Sequence, residues 1–206
     1  MRARLEVYYE VIPSNSLRLF QSKFDKDPND ANTYGLALAH QKNNNYEKSI
    51  NLLDELIKKY PKNLVINTTK VDILTAFGNY SDALILVDKF LEISPKNYPL
   101  SISKSKLLLA MKSYFESEEI IRDQLLRKND DPELWLLLSE IQRNSQNILG
   151  YHQSRAEYYL LLGQDEQALN QLEFALKMTQ NNFQASERIM TKIVDIKKDL
   201  GESRGL

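Results

Sequence analysis

YEKSINLLDELIKKYPKN, Tyr46 to Asn63, is answered 34 residues further on by YSDALILVDKFLEISPKN, Tyr80 to Asn97. Each stretch opens on a tyrosine and places a small residue three positions later, Ser49 or Ala83. Each then spaces apolar residues along one face of a helix, Leu53 and Leu56 or Val87 and Phe90, and closes on Pro-Lys-Asn. Tyr114 repeats the opening tyrosine at the same interval, so the chain is an internal repeat. Such a period means stacked supersecondary units, none of which can bury its apolar face alone.

A period of 34 residues is that of the tetratricopeptide repeat, a helix-turn-helix unit. The predicted fold class is therefore all-α, a tetratricopeptide-repeat α-solenoid wound as a right-handed superhelix of about twelve helices. Full repeats fall near 30–63, 64–97 and 98–131, with a divergent part over 132–200 completing a single domain, and 201–206 is expected to be a flexible tail. In the first repeat Leu36 and Ala37 face the second helix, while Gly78 makes the turn in the next by accepting positive φ without a Cβ clash. The third repeat carries Ser105, Leu108, Tyr114, Ser117 and Ile121. Its closing proline is displaced to Pro132, so the period slips in a loop grown around Asn129 to Asp131. Asp131-Pro132-Glu133 opens a helix through Trp135 and Leu138, and a long helix is expected from about Leu149 to Leu162. Gly163 to Asp165 turns the chain into a helix over Glu166 to Thr179, with Ala168, Leu172 and Ala175 inward. Asn181-Asn182 precedes a last helix ending near Leu200. Upstream, Pro13 to Ser16 separates a short helix, Arg2 to Tyr9, from another over Leu17 to Phe24.

Composition suits such a scaffold: 42% of residues are hydrophobic and 27% charged, enough for helices with one buried and one solvated stripe. With 27 basic and 28 acidic residues, a formal net charge of −1 supplies no field for a polyanion, and nucleic acid is not an expected partner. The most basic stretch, Arg188, Lys192, Lys197 and Lys198, reads as a solvated helix face. The absence of cysteine removes disulfides and thiolate metal sites without deciding the compartment. No apolar run approaches the ~20 residues of a spanning helix, so direct membrane insertion is not expected. Helical sequence begins at Arg2 without the apolar core of a signal peptide, which suggests a piece of a longer protein.

No constellation for catalysis emerges. His40 and His152 are each followed by Gln rather than Glu, so neither starts an HExxH zinc pair, and there is no cysteine nucleophile, phosphate loop or GxSxG turn. No cofactor or metal is assigned, and the chain is read as a non-enzyme. Glu118-Glu119 and Asp130-Asp131 read as solvated, and His40 as a structural or half-exposed imidazole. The function left is binding of proteins or peptides in the concave groove that first helices form. Its candidate contacts are Tyr34, Leu38, Gln41, Thr68, Asp72, Thr75, Ile102, Lys106, Leu136, Glu140 and Arg143. Tyr34, Leu38, Thr68 and Asp72 stand where a clamp for a chaperone's C-terminal carboxylate would need cations, so no such clamp is expected.

One segment is narrower than a generic repeat. Gly150-Tyr151-His152-Gln153-Ser154-Arg155-Ala156-Glu157 through Gly163, continued by Gln167 to Leu176, matches a pattern H-x-x-R-A-E-x5-G-x4-A-x2-Q-L-x2-A-L at His152, Arg155, Ala156, Glu157, Gly163, Ala168, Gln171, Leu172, Ala175 and Leu176. It resembles the C-terminal tetratricopeptide region of periplasmic zinc metallopeptidases related to the β-barrel assembly-enhancing protease. Arg2-Ala3-Arg4-Leu5 and Tyr34 to Ala39 resemble the start of the same region. The resemblance implies a periplasmic module that engages the outer-membrane β-barrel assembly machinery, its clients or its own protease domain, the zinc belonging to that domain and not to this chain. It adds His152 and Arg155 to the partner-binding candidates. The other reading of that trio is local: Arg155 and Glu157 hydrogen-bond to hold the long helix to its neighbours. A stand-alone cytosolic adaptor is the alternative for the whole chain.

Overall fold

The computed structural model describes residues 2–179 and 182–204, and the described residues form twelve α-helices and no strand. They are α1 (Arg2–Tyr9), α2 (Pro13–Lys26), α3 (Asp30–Lys42), α4 (Tyr46–Lys59), α5 (Leu64–Phe77), α6 (Tyr80–Ile93), α7 (Tyr98–Ala110), α8 (Tyr114–Leu125), α9 (Pro132–Asn144), α10 (Ile148–Leu161), α11 (Asp165–Lys177) and α12 (Phe183–Arg204). Helix starts follow the sequence chemistry. Asn29, Asn63, Asn79, Asp131 and Asn147 each accept a first-turn N–H through the side chain, satisfying donors that a helix leaves unpaired.

The period does not slip. First helices begin at 30, 64, 98 and 132, and second helices at 46, 80, 114 and 148, each step being 34 residues. Pro132 is therefore a helix-opening residue, where a missing N–H is harmless, and not a displaced closing proline. Pro13 does the same at the start of α2, which begins there and not at Leu17. The turns keep step as well: Asn44, Gly78, Lys112 and Gln146 lie 34 apart, with φ of 59°, 85°, 64° and 61°.

What changes is the role of one helix. The next left-handed residue after Gln146 is Gly163, with φ of 68°, half a period on. The turn between α10 and α11 thus copies the turn inside a repeat. The expected long helix is 14 residues, the length of α4 and α6. It serves two hairpins. In α4, α6 and α8 the first buried residue is the fourth, Ser49, Ala83 or Ser117; in α10 it is the third, Gly150, followed by Ser154. One residue of phase lets Gly150 and Ser154 approach α9 while Ala156 joins Leu172 and Ala175 of α11 and Ile189, Ile193 and Ile196 of α12.

The chain divides into two compact units, Met1–Leu107 and Leu108–Leu206, and each is described by itself. The first is built on Phe20 and Leu36 of α2 and α3, on Ala37, Leu53, Leu56, Ile66 and Ile73, and on Val71, Leu74, Val87, Phe90, Leu100 and Leu107. Burying each of the larger side chains contributes about 1.5–3 kcal/mol against the entropy of ordering. Close approach explains the small residues, since the hydroxyl of Ser49 donates to the Ala37 carbonyl at 2.6 Å. Helix α12 continues to Arg204, past the start of the expected tail, while 205–206 and Asn181 lie outside the described residues. Asn182 accepts from the Ala185 N–H at 3.0 Å at the start of α12.

Candidate functional site

A cleft of about 480 Å³ opens in the first unit between α1, α3 and the turn into α4, lined by Arg4, Val7, Tyr8, Leu38, Gln41, Lys42, Asn44, Tyr46 and Ala76. Its wall is set by one lysine. Nζ of Lys42 donates to the carbonyls of Val7 (2.6 Å) and Tyr8 (3.1 Å) and to that of Glu10, acceptors that a short helix leaves unpaired at its C-terminus. The clamp holds Val7 and Tyr8 of α1 opposite Leu38 of α3. Val7 and Leu38 are buried, Tyr8 is 75% exposed, and the Tyr46 hydroxyl donates to Asn44 Oδ1 at 2.9 Å. Arg4 and Gln41 line it without a side-chain hydrogen bond among the described residues.

Asp72 on α5 does not line this cleft, although it lies within reach of the Arg4 charge. Its Oδ1 accepts from the Ser103 hydroxyl at 2.8 Å. Burial pushes the carboxyl above its ordinary range, opposed by the Ser103 hydrogen bond and by the charges of Lys106 and Arg4. Other members of the expected row are engaged internally. The hydroxyls of Thr68 and Thr75 return to the carbonyls of Leu64 and Val71, both at 2.8 Å, and the Tyr34 hydroxyl lies 2.9 Å from Thr69 Oγ1. Ile102 is half-buried and Lys106 exposed. Of the expected contacts Leu38 and Gln41 line the cleft; Arg4, Tyr8, Lys42, Asn44 and Ala76 are additions that the repeat pattern does not single out. Arg4 and Tyr8 share a face of α1 by their spacing of four, a signal available in the sequence. His40 is buried, its Nδ1 has no partner, and burial together with the Lys48 charge holds its pKa below the ordinary value.

In the second unit Leu136, Glu140 and Arg143 lie exposed on α9. His152 Nδ1 is 2.9 Å from Gln171 Oε1, and its ring stacks on Phe174 with centroids 5.3 Å apart and planes at 27°. Arg155 donates from Nη2 to the Tyr159 hydroxyl, and its guanidinium lies 4.7 Å from the centroid of the Tyr159 ring and 5.2 Å from that of Tyr158. Glu157 pairs with Lys192 of α12. A cleft of about 270 Å³ in this unit is lined by other residues, among them Trp135, Gln142, Gln153, Glu157, Arg188 and Lys192. Leu136, Glu140, Arg143, His152 and Arg155 do not border it. Arg188 and Lys192, which the sequence places on a solvated face, do.

No family model matches the chain, and no curated protein matches it. Solved structures do. A tetratricopeptide repeat protein from Parabacteroides merdae ATCC 43184 aligns at a TM-score of 0.57 with 16% identity, covering 88% of this chain and 78% of its own. A thermophilic protein of the same repeat from Thermus thermophilus aligns at 0.57 with 18% identity, covering 94% and 96%. MamA from Desulfovibrio magneticus RS-1 aligns at 0.54 with 14% identity, covering 89% and 96%. The fold is that of the tetratricopeptide repeat.

In tetratricopeptide terms, α3, α5 and α7 are first helices and α4, α6 and α8 second helices, as the sequence predicts. From α10 the assignment changes by half a unit, so α10 is at once the second helix of one hairpin and the first of the next. The cleft of the second unit is lined from α8 to α12, with α9 contributing Trp135, Leu138 and Gln142 and not the exposed Leu136, Glu140 or Arg143. Among the described residues no group of three or more His, Asp or Glu is placed to hold a metal ion, and no helix is long and apolar enough to cross a membrane.

Proposed function

We propose that the chain is a non-catalytic protein-binding module whose first unit receives a partner segment in the cleft between α1 and α3. The observation that carries this reading is the composition of the cleft. Val7, Leu38 and Ala76 form an apolar floor, Tyr8 and Tyr46 supply rings, and Arg4 and Gln41 stand at the rim with their polar groups uncommitted. Apolar surface beside a few free polar groups binds an aliphatic side chain and orients the backbone around it. The partner we assign is the outer-membrane β-barrel assembly machinery or one of its clients, with the chain acting in the periplasm beside a zinc metallopeptidase domain. Support for that assignment is the match of His152, Arg155, Glu157, Gly163 and Gln171 to the repeat region of such peptidases. A photoreactive residue at Gln41 should crosslink to a subunit of that machinery, with Leu38→Asp abolishing the adduct and a probe at exposed Lys58 giving none. Equal adducts from Lys58, or none from Gln41, would overturn the reading.

A further inference from the structure

The cleft of the second unit has a floor of buried Leu138, Leu172 and Ile189 together with Gly150 and Ser154. Gln142, 1% exposed, is fully committed there: its Oε1 accepts from the Ser154 hydroxyl at 2.7 Å and its Nε2 donates to Glu118 Oε1 at 3.3 Å. The rim carries Arg122, Arg188 and Lys192 against the single carboxylate of Glu157. Arg122 is occupied by Glu118, 2.6 Å away, and Lys192 by Glu157. Arg188 has no ion pair or hydrogen bond among the described residues, and neither has the side chain of Gln153.

Arg188 shares this with Arg4 and Arg143 and differs from the arginines that are paired along their own helix. Arg2, Arg122 and Arg127 each have a carboxylate four residues before or after them, Glu6, Glu118 and Asp123. Arg188 has Gln184 and Ala185 on one side and Thr191 and Lys192 on the other. Lys192 is already paired with Glu157, so the charge left for an incoming anion is that of Arg188. At about 270 Å³ the cleft is below the ~300–1,000 Å³ of ordinary ligand pockets, so it admits one or two side chains of a larger partner and not a whole cofactor. The carrier of the anion must also tolerate Glu157 and offer apolar surface to Trp135 and Leu138, which a polyphosphate chain does not.

We propose that this cleft binds an acidic segment of a partner protein, one carboxylate pairing with Arg188 and accepting from the Gln153 amide while an adjoining aliphatic side chain lies against Trp135. The site is independent of the cleft in the first unit. A guanidinium meets a carboxylate through two parallel N–H donors, which fixes orientation as well as charge.

Trp135 is the sole tryptophan, so its emission reports on this cleft alone. Titration with a short peptide of alternating glutamate and leucine should shift that emission to saturation, weakening as salt is raised. Arg188→Gln should lower the affinity about tenfold with the far-UV circular dichroism unchanged, the loss expected for one charged hydrogen-bonded contact. Arg143→Gln, on the exposed face of α9, should leave it as it was. The proposal is overturned by equal binding of the glutamine analogue of the peptide, by wild-type affinity in Arg188→Gln, by no change in emission, or by inorganic phosphate giving the same shift at the same concentration.

Discussion

A methyl group on Gly35 would lie 2.1 Å from Cε1 and 2.3 Å from Cδ1 of Phe20, the ring that joins α2 to α3. Phe20 is 2% exposed and has nowhere to swing, so Gly35→Ala should destabilise the first unit by about 1–3 kcal/mol, the usual range for overpacking, despite alanine's better helix propensity. Chemical denaturation with circular dichroism measures it, and an unchanged or higher midpoint would show that Phe20 yields. His40 gives a pH-dependent test. Its folded pKa lies below the unfolded value of about 6.5, so the unfolded chain takes up the proton first. The stability of the neutral, buried ring is complete above that value and is lost as pH falls from about 6.5 toward the folded pKa. His40→Leu, which also removes an unpartnered buried Nδ1, should raise the melting temperature and flatten its dependence on pH between about 7 and 5. An identical acid slope in the variant would place the titration elsewhere.

At the scale of elements the turns carry the argument. Lys112 and Gln146 hold φ of 64° and 61° at positions equivalent to Gly78. A side chain there costs about 1–2 kcal/mol, partly offset by glycine's greater unfolded-state entropy of ~0.4–1 kcal/mol. Gln146→Gly should therefore stabilise the second unit slightly, by up to about 1 kcal/mol in a urea titration; destabilisation would mean that the Gln146 side chain makes a contact worth more than the strain. The same positions explain what can be read from the sequence. Tyr46, Tyr80 and Tyr114 make the period visible because each opens a second helix, whereas Ile148 opens the fourth with no tyrosine to mark it. Pro61 and Pro95 end repeats and Pro132 begins one, so tracking the proline alone produces an apparent slip of three residues. The half-step at Gly163 is hidden for a different reason. It depends on Gly150, Ser154 and Ala156 letting α10 pack closely on both α9 and α11, a tertiary fact that periodicity does not carry. The cleft takes Trp135 from α9 together with Gln153 of α10 and Arg188 of α12, a grouping that the spacing of first helices alone does not mark.

Within each unit, the helix pairs in substantial contact among the described residues are neighbours in the chain, apart from α1 against α3. Stability in such an array is close to a sum of unit terms and nearest-neighbour interfaces, so damage stays near where it is made. Ile193 tests this. It is 8% exposed and packs with Ala156, Leu172, Ala175, Ile189 and Ile196 across α10, α11 and α12. Ile193→Ala removes apolar atoms from that cluster, a change that typically costs about 2–5 kcal/mol in a core that cannot collapse around the gap. In a globular domain with one cooperative transition the loss would raise amide exchange everywhere. Here exchange should rise in α10 to α12, while the amides of α3 and α4, held by Leu36, Leu53 and Leu56, keep their original rates. Exchange read by mass spectrometry on peptides from the two ends separates the outcomes, because a uniform rise would mean that the twelve helices open as one and that the additive description of the repeat array fails for this chain.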